Sequence, residues 1–225
     1  IISGILRYVW FYKTGDCIIK GVIFDMTWLF RKLSPERILV LGFASVIFIG
    51  AILLLLPISA QPEATVQPID ALFTSTSAVC VTGLVAIDTA DHFSVFGRTV
   101  VALLIQIGGL GVSSVGVMFI LLSGKKVGLK ERILIKESLN LYSLRGVVRL
   151  VKSVLLMTLF FEGIGVLLNF IVFSQDYPFW SAWGISIFHS ISAFNNAGFD
   201  ILGGLRNLIP YQKDVLLNLT TCGLI

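Results

Sequence analysis

Hydrophobic and polar positions fall in long blocks along this chain, and the block lengths predict its elements. Ile38 to Pro57 is apolar and has the length, about 20 residues, that a helix needs to cross a bilayer core. Pro35 stands just before it, where a helix start tolerates proline, and Pro57 closes it. Residues 58–94 are polar, and a second spanning run, 95–122, follows. Residues 123–152 form a basic linker, and a third run covers 153–173. A polar and aromatic stretch then leads to a fourth apolar run, which opens from residue 212 and is well under way by Val215. Inside the two long polar stretches, residues 69–79 and 180–194 are apolar enough for short helices. Each precedes an extended, glycine-containing segment, 79–84 and 195–199. The expected fold is all-α and integral to a membrane.

Composition agrees: 56% of residues are apolar and 13% charged, with a mean hydropathy of +0.93. A soluble domain carries about 25% charged residues. Cys17, Cys80 and Cys222 have no metal or redox spacing, and an odd count closes no disulfide framework, so free thiols are expected. The net charge of +4 matters through its distribution. The linker holds Lys125, Lys126, Lys130, Arg132, Lys136, Arg145, Arg149 and Lys152 against two acids, whereas residues 58–94 carry Glu63, Asp70, Asp88 and Asp91 and no Lys or Arg. The positive-inside rule then puts the N-terminus and the linker in the cytoplasm, and 58–94 and 174–211 outside. Lipid is the expected surrounding and no nucleic-acid partner is expected. Residues 128–141 read as an amphipathic helix at the cytoplasmic interface, as a docking face, or as a solvated loop. Residues 1–25 carry scattered charges and read as leader or irregular sequence ahead of a start at Met26; an amphipathic N-terminal helix is the alternative.

The chain also repeats itself. A shift of 115 residues pairs Phe73, Ser75, Ser77, Ala78 and Gly83 with Phe188, Ser190, Ser192, Ala193 and Gly198. It also pairs Leu41, Ile49, Gly50 and Leu53 with Leu156, Ile164, Gly165 and Leu168, and Val100, Leu104 and Gly108 with Val215, Leu219 and Gly223. Apolar matches are cheap in such a chain, but five identities in the eleven positions 73–83 are not. The expectation is two tandem helix–pore loop–helix repeats, 26–122 and 153–225, the second incomplete.

A short helix dipping into the membrane, with a backbone strand returning, is how carbonyl-lined cation filters are built. Such backbone is tolerated at membrane depth where protein or a water-filled cavity surrounds it, and the helix's C-terminal dipole end favours a cation. Aiming successive carbonyls one way takes backbone angles that glycine adopts cheaply. The expected ion-binding residues are Val79, Cys80, Val81, Thr82 and Gly83 with Asn195, Asn196, Ala197 and Gly198. Within that set K+ is expected at Val81, Thr82, Gly83, Asn196, Ala197 and Gly198. The plain alternative makes both glycines ordinary turn residues.

The segments TSAVCVTGL (76–84) and AFNNAGFD (193–200) resemble the first two filter loops of the Trk/Ktr/HKT potassium-transporter superfamily. QIGGLG (106–111) is similar to the family's first inner helix, and KLSP (32–35) to its lead-in; the bacterial Ktr-type membrane subunit is the nearest match. That resemblance implies four repeats around one pore, of which this chain carries one and most of a second. It also implies a membrane homodimer gated by a cytosolic nucleotide-binding ring of the RCK/KTN type, Na+-stimulated K+ uptake, and a place in the bacterial inner membrane. The ions are then cargo, and no organic cofactor is expected on this chain.

Other residues invite roles. Glu162 is a carboxylate deep in a predicted span, a placement that is costly and often functional; bracing the pore loop, handling cations and contact with water are all open. Asn169 reads as helix–helix glue, and His189 as a hydrogen-bonded packing residue or a ligand. Asp88, Asp91 and Asp200 follow the loops and would add negative potential at a pore mouth, or are solvated acids. GGLG at 108–111 faintly resembles a dinucleotide fingerprint, but close helix packing explains it better inside a span. Two other functions compete: a secondary transporter with broken helices, and an intramembrane enzyme using Glu162, His189 and Asp200. Neither catalytic residues nor an enzyme activity are expected.

Overall fold

A computed structural model of the protein describes residues 34–122, 127–139, 141–143 and 145–225. Residues 1–25, read above as a leader, Met26 and most of the expected lead-in lie outside the described residues, as do Lys125 and Lys126, and with them Cys17. The regular elements among the described residues are helices: α1 (Pro35–Leu54), α2 (Pro68–Val79), α3 (Thr89–His92), α4 (Val95–Leu110), α5 (Val112–Leu122), α6 (Leu129–Ser138), α7 (Val147–Phe173), α8 (Phe179–Phe194) and α9 (Val215–Leu224), with a 3-10 turn at Ile209–Tyr211. The one β-type pairing among those residues is an isolated bridge between Ala60 and Phe93.

Two of these helices are long and apolar enough to cross a membrane, Glu36–Leu54 and Val147–Phe173. Outward-facing Leu156, Leu159, Phe160 and Leu167 on α7 give that helix the apolar surface a bilayer accepts. The expected inner span 95–122 is instead two helices, broken at Gly111, whose φ of 80° glycine adopts without a Cβ penalty. Likewise, α7 starts at Val147 rather than 153, within the expected linker: hydropathy marks where the bilayer ends, not where the helix does.

Local chemistry sets the helix starts. Gln67 and Asp70 form a capping box across Pro68 at the start of α2, with Gln67 N–H donating to Asp70 Oδ2 at 3.3 Å. Ser94 Oγ accepts from Gly97 N–H on α4, and Asp214 Oδ1 accepts from Leu217 N–H on α9. Around α2 and α4 the main core gathers Leu54, Ala71, Val79, Phe93, Val101 and Ile105, extended by Phe188, Ala197 and Phe199 from the second half of the chain. Burying the ring of Phe93 contributes about 1.5–3 kcal/mol.

Hydrogen bonds recur at the 115-residue spacing. Ser75 Oγ donates to Ile47 O and Ser190 Oγ to Glu162 O, both at 2.7 Å. Ser77 Oγ donates to Leu84 O at 2.7 Å, and Ser192 Oγ to Phe199 O at 2.6 Å. These serines join each short helix to the long helix before it and close each loop on itself. The register does not persist into α4 and α9, however. A Cβ on Gly50 would meet Leu104, and one on Gly165 would meet Leu224, a spacing of 120 rather than 115. The helix caps agree, since Ser94 lies 11 residues after Gly83 and Asp214 lies 16 after Gly198. The alignments of Leu104 with Leu219 and Gly108 with Gly223 are therefore corrected: Leu104 corresponds to Leu224. The five extra residues sit in the longer loop after Gly198.

Asn169 is fully buried, and neither atom of its carboxamide has a partner among the described residues, so it is not seen bridging helices.

Candidate functional site

Each loop of interest begins where a short helix stops. The backbone turns left-handed at Val81 (φ 54°) and again at Gly83 (φ 70°); 115 residues on, Asn196 (φ 55°) and Gly198 (φ 72°) do the same. A β-branched residue such as Val81 is a genuine outlier there, so the surroundings must hold it. Thr82 N–H donates to Ser77 O at 3.0 Å and Ala197 N–H to Ser192 O at 2.7 Å. Thr82 Oγ1 also lies 2.9 Å from Ser77 Oγ.

The two loops meet. A Cβ on Gly83 would lie 2.7 Å from Ala197 O and 3.3 Å from Gly198 Cα, and one on Gly198 would lie 3.4 Å from Gly83 Cα. Helix α4 passes behind both: a Cβ on Gly108 would strike the carbonyl oxygen of Val79, and one on Gly109 the side chain of Asn195. The GGLG segment is thus a packing surface. A cavity of about 360 Å³ adjoins the second loop, lined by residues that include Gly109, Ser114, Thr158, Asn195 and Asn196.

Glu162 is buried on α7. The Asn195 carboxamide nitrogen faces its Oε1 at 3.4 Å, Gln106 Oε1 at 3.1 Å and Ile191 O at 2.9 Å. Gln106 drew no role from the sequence, because its partner is distant along the chain; its place two residues before the glycine pair was the available signal.

The aspartates behave differently from free mouth charges. Asp88 Oδ1 accepts from Ala90 and Asp91 N–H at 2.7 and 3.1 Å, and its Oδ2 accepts from Leu205 N–H at 2.6 Å. Asp91 Oδ2 accepts from Gly204 N–H at 3.0 Å. The longer second loop is therefore pinned to α3. Its left-handed Gly203, Gly204, Leu205 and Asn207 shape that contact. Asp200 Oδ1 accepts from Leu202 N–H at 2.9 Å. His189 Nε2 lies 3.1 Å from Thr221 Oγ1, with its ring edge-on to Phe173. Glu162, His189 and Asp200 thus have separate sets of partners. Cys80 and Cys222 are exposed free thiols. Among the described residues no three His, Cys, Asp or Glu converge.

Burial pushes the Asp200 carboxyl above the ordinary carboxylate range, against the bond from Leu202, with Asp88 and Asp91 adding to the rise. The folded state then binds this proton more tightly than the unfolded chain. Stability is present below the unfolded value and is lost as pH rises through the folded one. Asp200→Asn in the full-length protein is expected to flatten that decline in melting temperature measured against pH; a slope unchanged by the substitution would place its origin elsewhere.

A family model described as TrkH, cation transport protein, matches residues 32–225. The chain is 46% identical over 191 residues to Ktr system potassium uptake protein B of Bacillus subtilis, covering 84% of this chain and 41% of that protein. It is 38% identical over 195 residues to potassium/sodium uptake protein NtpJ of Enterococcus hirae, covering 87% and 43%. It is 39% identical over 200 residues to Ktr system potassium uptake protein D of Bacillus subtilis, covering 88% and 44%. The chain thus spans less than half the length of these curated relatives.

Proposed function

The chain belongs to the TrkH family of cation transport proteins, of Ktr type, and from that premise we propose that residues 26–122 and 153–225 are two of four pore-loop repeats that surround a potassium-uptake pathway. The observation that carries this is the pair of left-handed glycines, Gly83 and Gly198, lying against each other at the ends of two loops that are closed by equivalent serine and backbone hydrogen bonds. Two loops that meet at their glycines present a shared surface of backbone oxygen. Backbone carbonyls replace the water of K+ without a fixed charge that would hold it too tightly. In this reading the ion is bound by the carbonyls of Val81, Thr82 and Gly83 and of Asn196, Ala197 and Gly198, with Val79, Cys80 and Asn195 at the deeper end. Helices α2 and α8 aim their negative dipole ends at the same place. Asp88 and Asp200 shape the mouth chiefly by fixing its loops.

The rest of the reading follows the family. The whole protein is a multi-pass subunit of the bacterial inner membrane with a cytoplasmic N-terminus. It works as a homodimer, under a cytosolic nucleotide-binding ring of the RCK/KTN type, with Na+ stimulating K+ uptake. The test is growth of a potassium-uptake-deficient bacterium carrying the full-length gene. Restored growth on limiting K+, strengthened by Na+, is expected. Absence of K+ uptake with the protein present in the membrane would overturn the proposal.

A further inference from the structure

The two loops share a backbone but not a side-chain support. Asn195 stands at the end of α8 with its carboxamide wedged among three elements: Gln106 and Gly109 of α4, Glu162 of α7 and the Ile191 carbonyl of its own helix. Its nitrogen carries two hydrogens and faces three oxygens, so its orientation is fixed by the acceptors around it. Gly109 is part of the device, because a Cβ there would occupy the space of the carboxamide. Glu162 supplies an acceptor at a position where a carboxylate is expensive to bury. The equivalent residues of the first loop, 115 positions earlier, are Cys80 and Ile47. Ile47 has no polar side-chain atom to offer, and the Cys80 side chain is exposed.

We infer that Glu162 and Gln106 are positioning residues for the second loop: they clamp the Asn195 carboxamide, fix the backbone of Asn196, Ala197 and Gly198 behind it, and so set the preference for K+ over Na+. This rests on the filter reading above. It also makes the ring asymmetric. The second loop is keyed to the inner helix of the first repeat, so a displacement of α4 reaches the filter through Gln106.

The test is an isosteric exchange in the full-length protein, read as the ratio of K+ to Na+ uptake in membrane vesicles containing equal protein. Asn195→Asp sets two carboxylates against each other, and the ratio is expected to fall about tenfold. Glu162→Gln retains an acceptor oxygen and loses less. Combined with Asn195→Asp it restores a donor–acceptor pair with the roles exchanged, and the double variant is expected to recover to within about threefold of the original ratio. A double variant no better than Asn195→Asp alone, or an Asn195→Asp protein with an unchanged ratio, overturns the inference. If Asn195→Asp does not reach the membrane, Gln106→Met removes the α4 contact at similar volume. A lowered ratio at an unchanged melting temperature then supports the clamp, and an unchanged ratio overturns it. Gly83→Ala separates the clamp from the filter. If it also leaves the ratio unchanged, the filter reading itself fails; if it alone lowers the ratio, only the clamp fails.

Discussion

Gly83→Ala in the full-length protein is expected to abolish growth on limiting potassium, or to lower the K+ to Na+ uptake ratio by more than about tenfold. Two costs combine. At φ 70° an L-residue pays roughly 1–2 kcal/mol for the left-handed conformation. The added methyl would also lie 2.7 Å from Ala197 O, well inside contact. The neighbouring loop cannot simply retreat, because Ala197 is buried and its N–H is bonded to Ser192 O at 2.7 Å. Either the loops part or the Gly83 peptide turns, and both move the oxygens that would replace an ion's water. Gly198→Ala should be milder: it pays the same conformational cost at φ 72°, but its methyl meets Gly83 Cα at an ordinary 3.4 Å. The ordering, with Gly83 worse than Gly198, is specific to this packing. Unchanged growth and ion preference in Gly83→Ala would remove the filter assignment.

What the sequence disclosed, and what it hid, divides by range of interaction. The short helices expected at 69–79 and 180–194 agree with Pro68–Val79 and Phe179–Phe194 to within a residue, because prolines and apolar runs are local signals. The serines at 75, 77, 190 and 192 stood out through the 115-residue match, and each makes the same bond in both segments. The lower boundary of α7 was less legible. Its 27 residues measure about 40 Å against a hydrocarbon core of about 30 Å, so Arg149 and Lys152 are helical yet outside any apolar run. The break at Gly111 was masked by continuous hydropathy on both sides. The changed register of α9 was masked for the same reason: ungapped apolar matches arise readily between membrane helices, whereas the contacts of Gly50 and Gly165 identify the true partner. Asp88 and Asp91 read as solvated or mouth charges because their partners, Leu205 and Gly204, are more than a hundred residues away and use only backbone N–H. No side-chain pattern announces such a bond.

Gly108→Ala carries the second large effect, and it separates packing from propensity. On helix propensity alone, Gly→Ala inside a helix gains about 1 kcal/mol. At Gly108 the methyl would fall on the backbone of Val79, striking its carbonyl oxygen and lying 2.8 Å from its carbonyl carbon and 3.0 Å from its Cα. Val79 is buried at the end of α2 and is backbone-bound, so no side chain can swing aside. Helix α4 must back away from α2, or the last peptide of α2 must turn at the point where the first loop begins. Overpacking of this kind costs about 1–3 kcal/mol. Gly163→Ala is the matched control, since its methyl meets nothing within 4 Å on α7. The expected result is a lowered melting temperature and depressed K+ uptake for Gly108→Ala, against an unchanged or slightly raised melting temperature for Gly163→Ala. Similar melting of the two variants would mean that α4 does not seat on α2. The support behind the first loop would then have to come from elsewhere. A drop in melting temperature with full K+ uptake would separate stability from conduction, and would count against an α4 displacement reaching the second loop through Gln106.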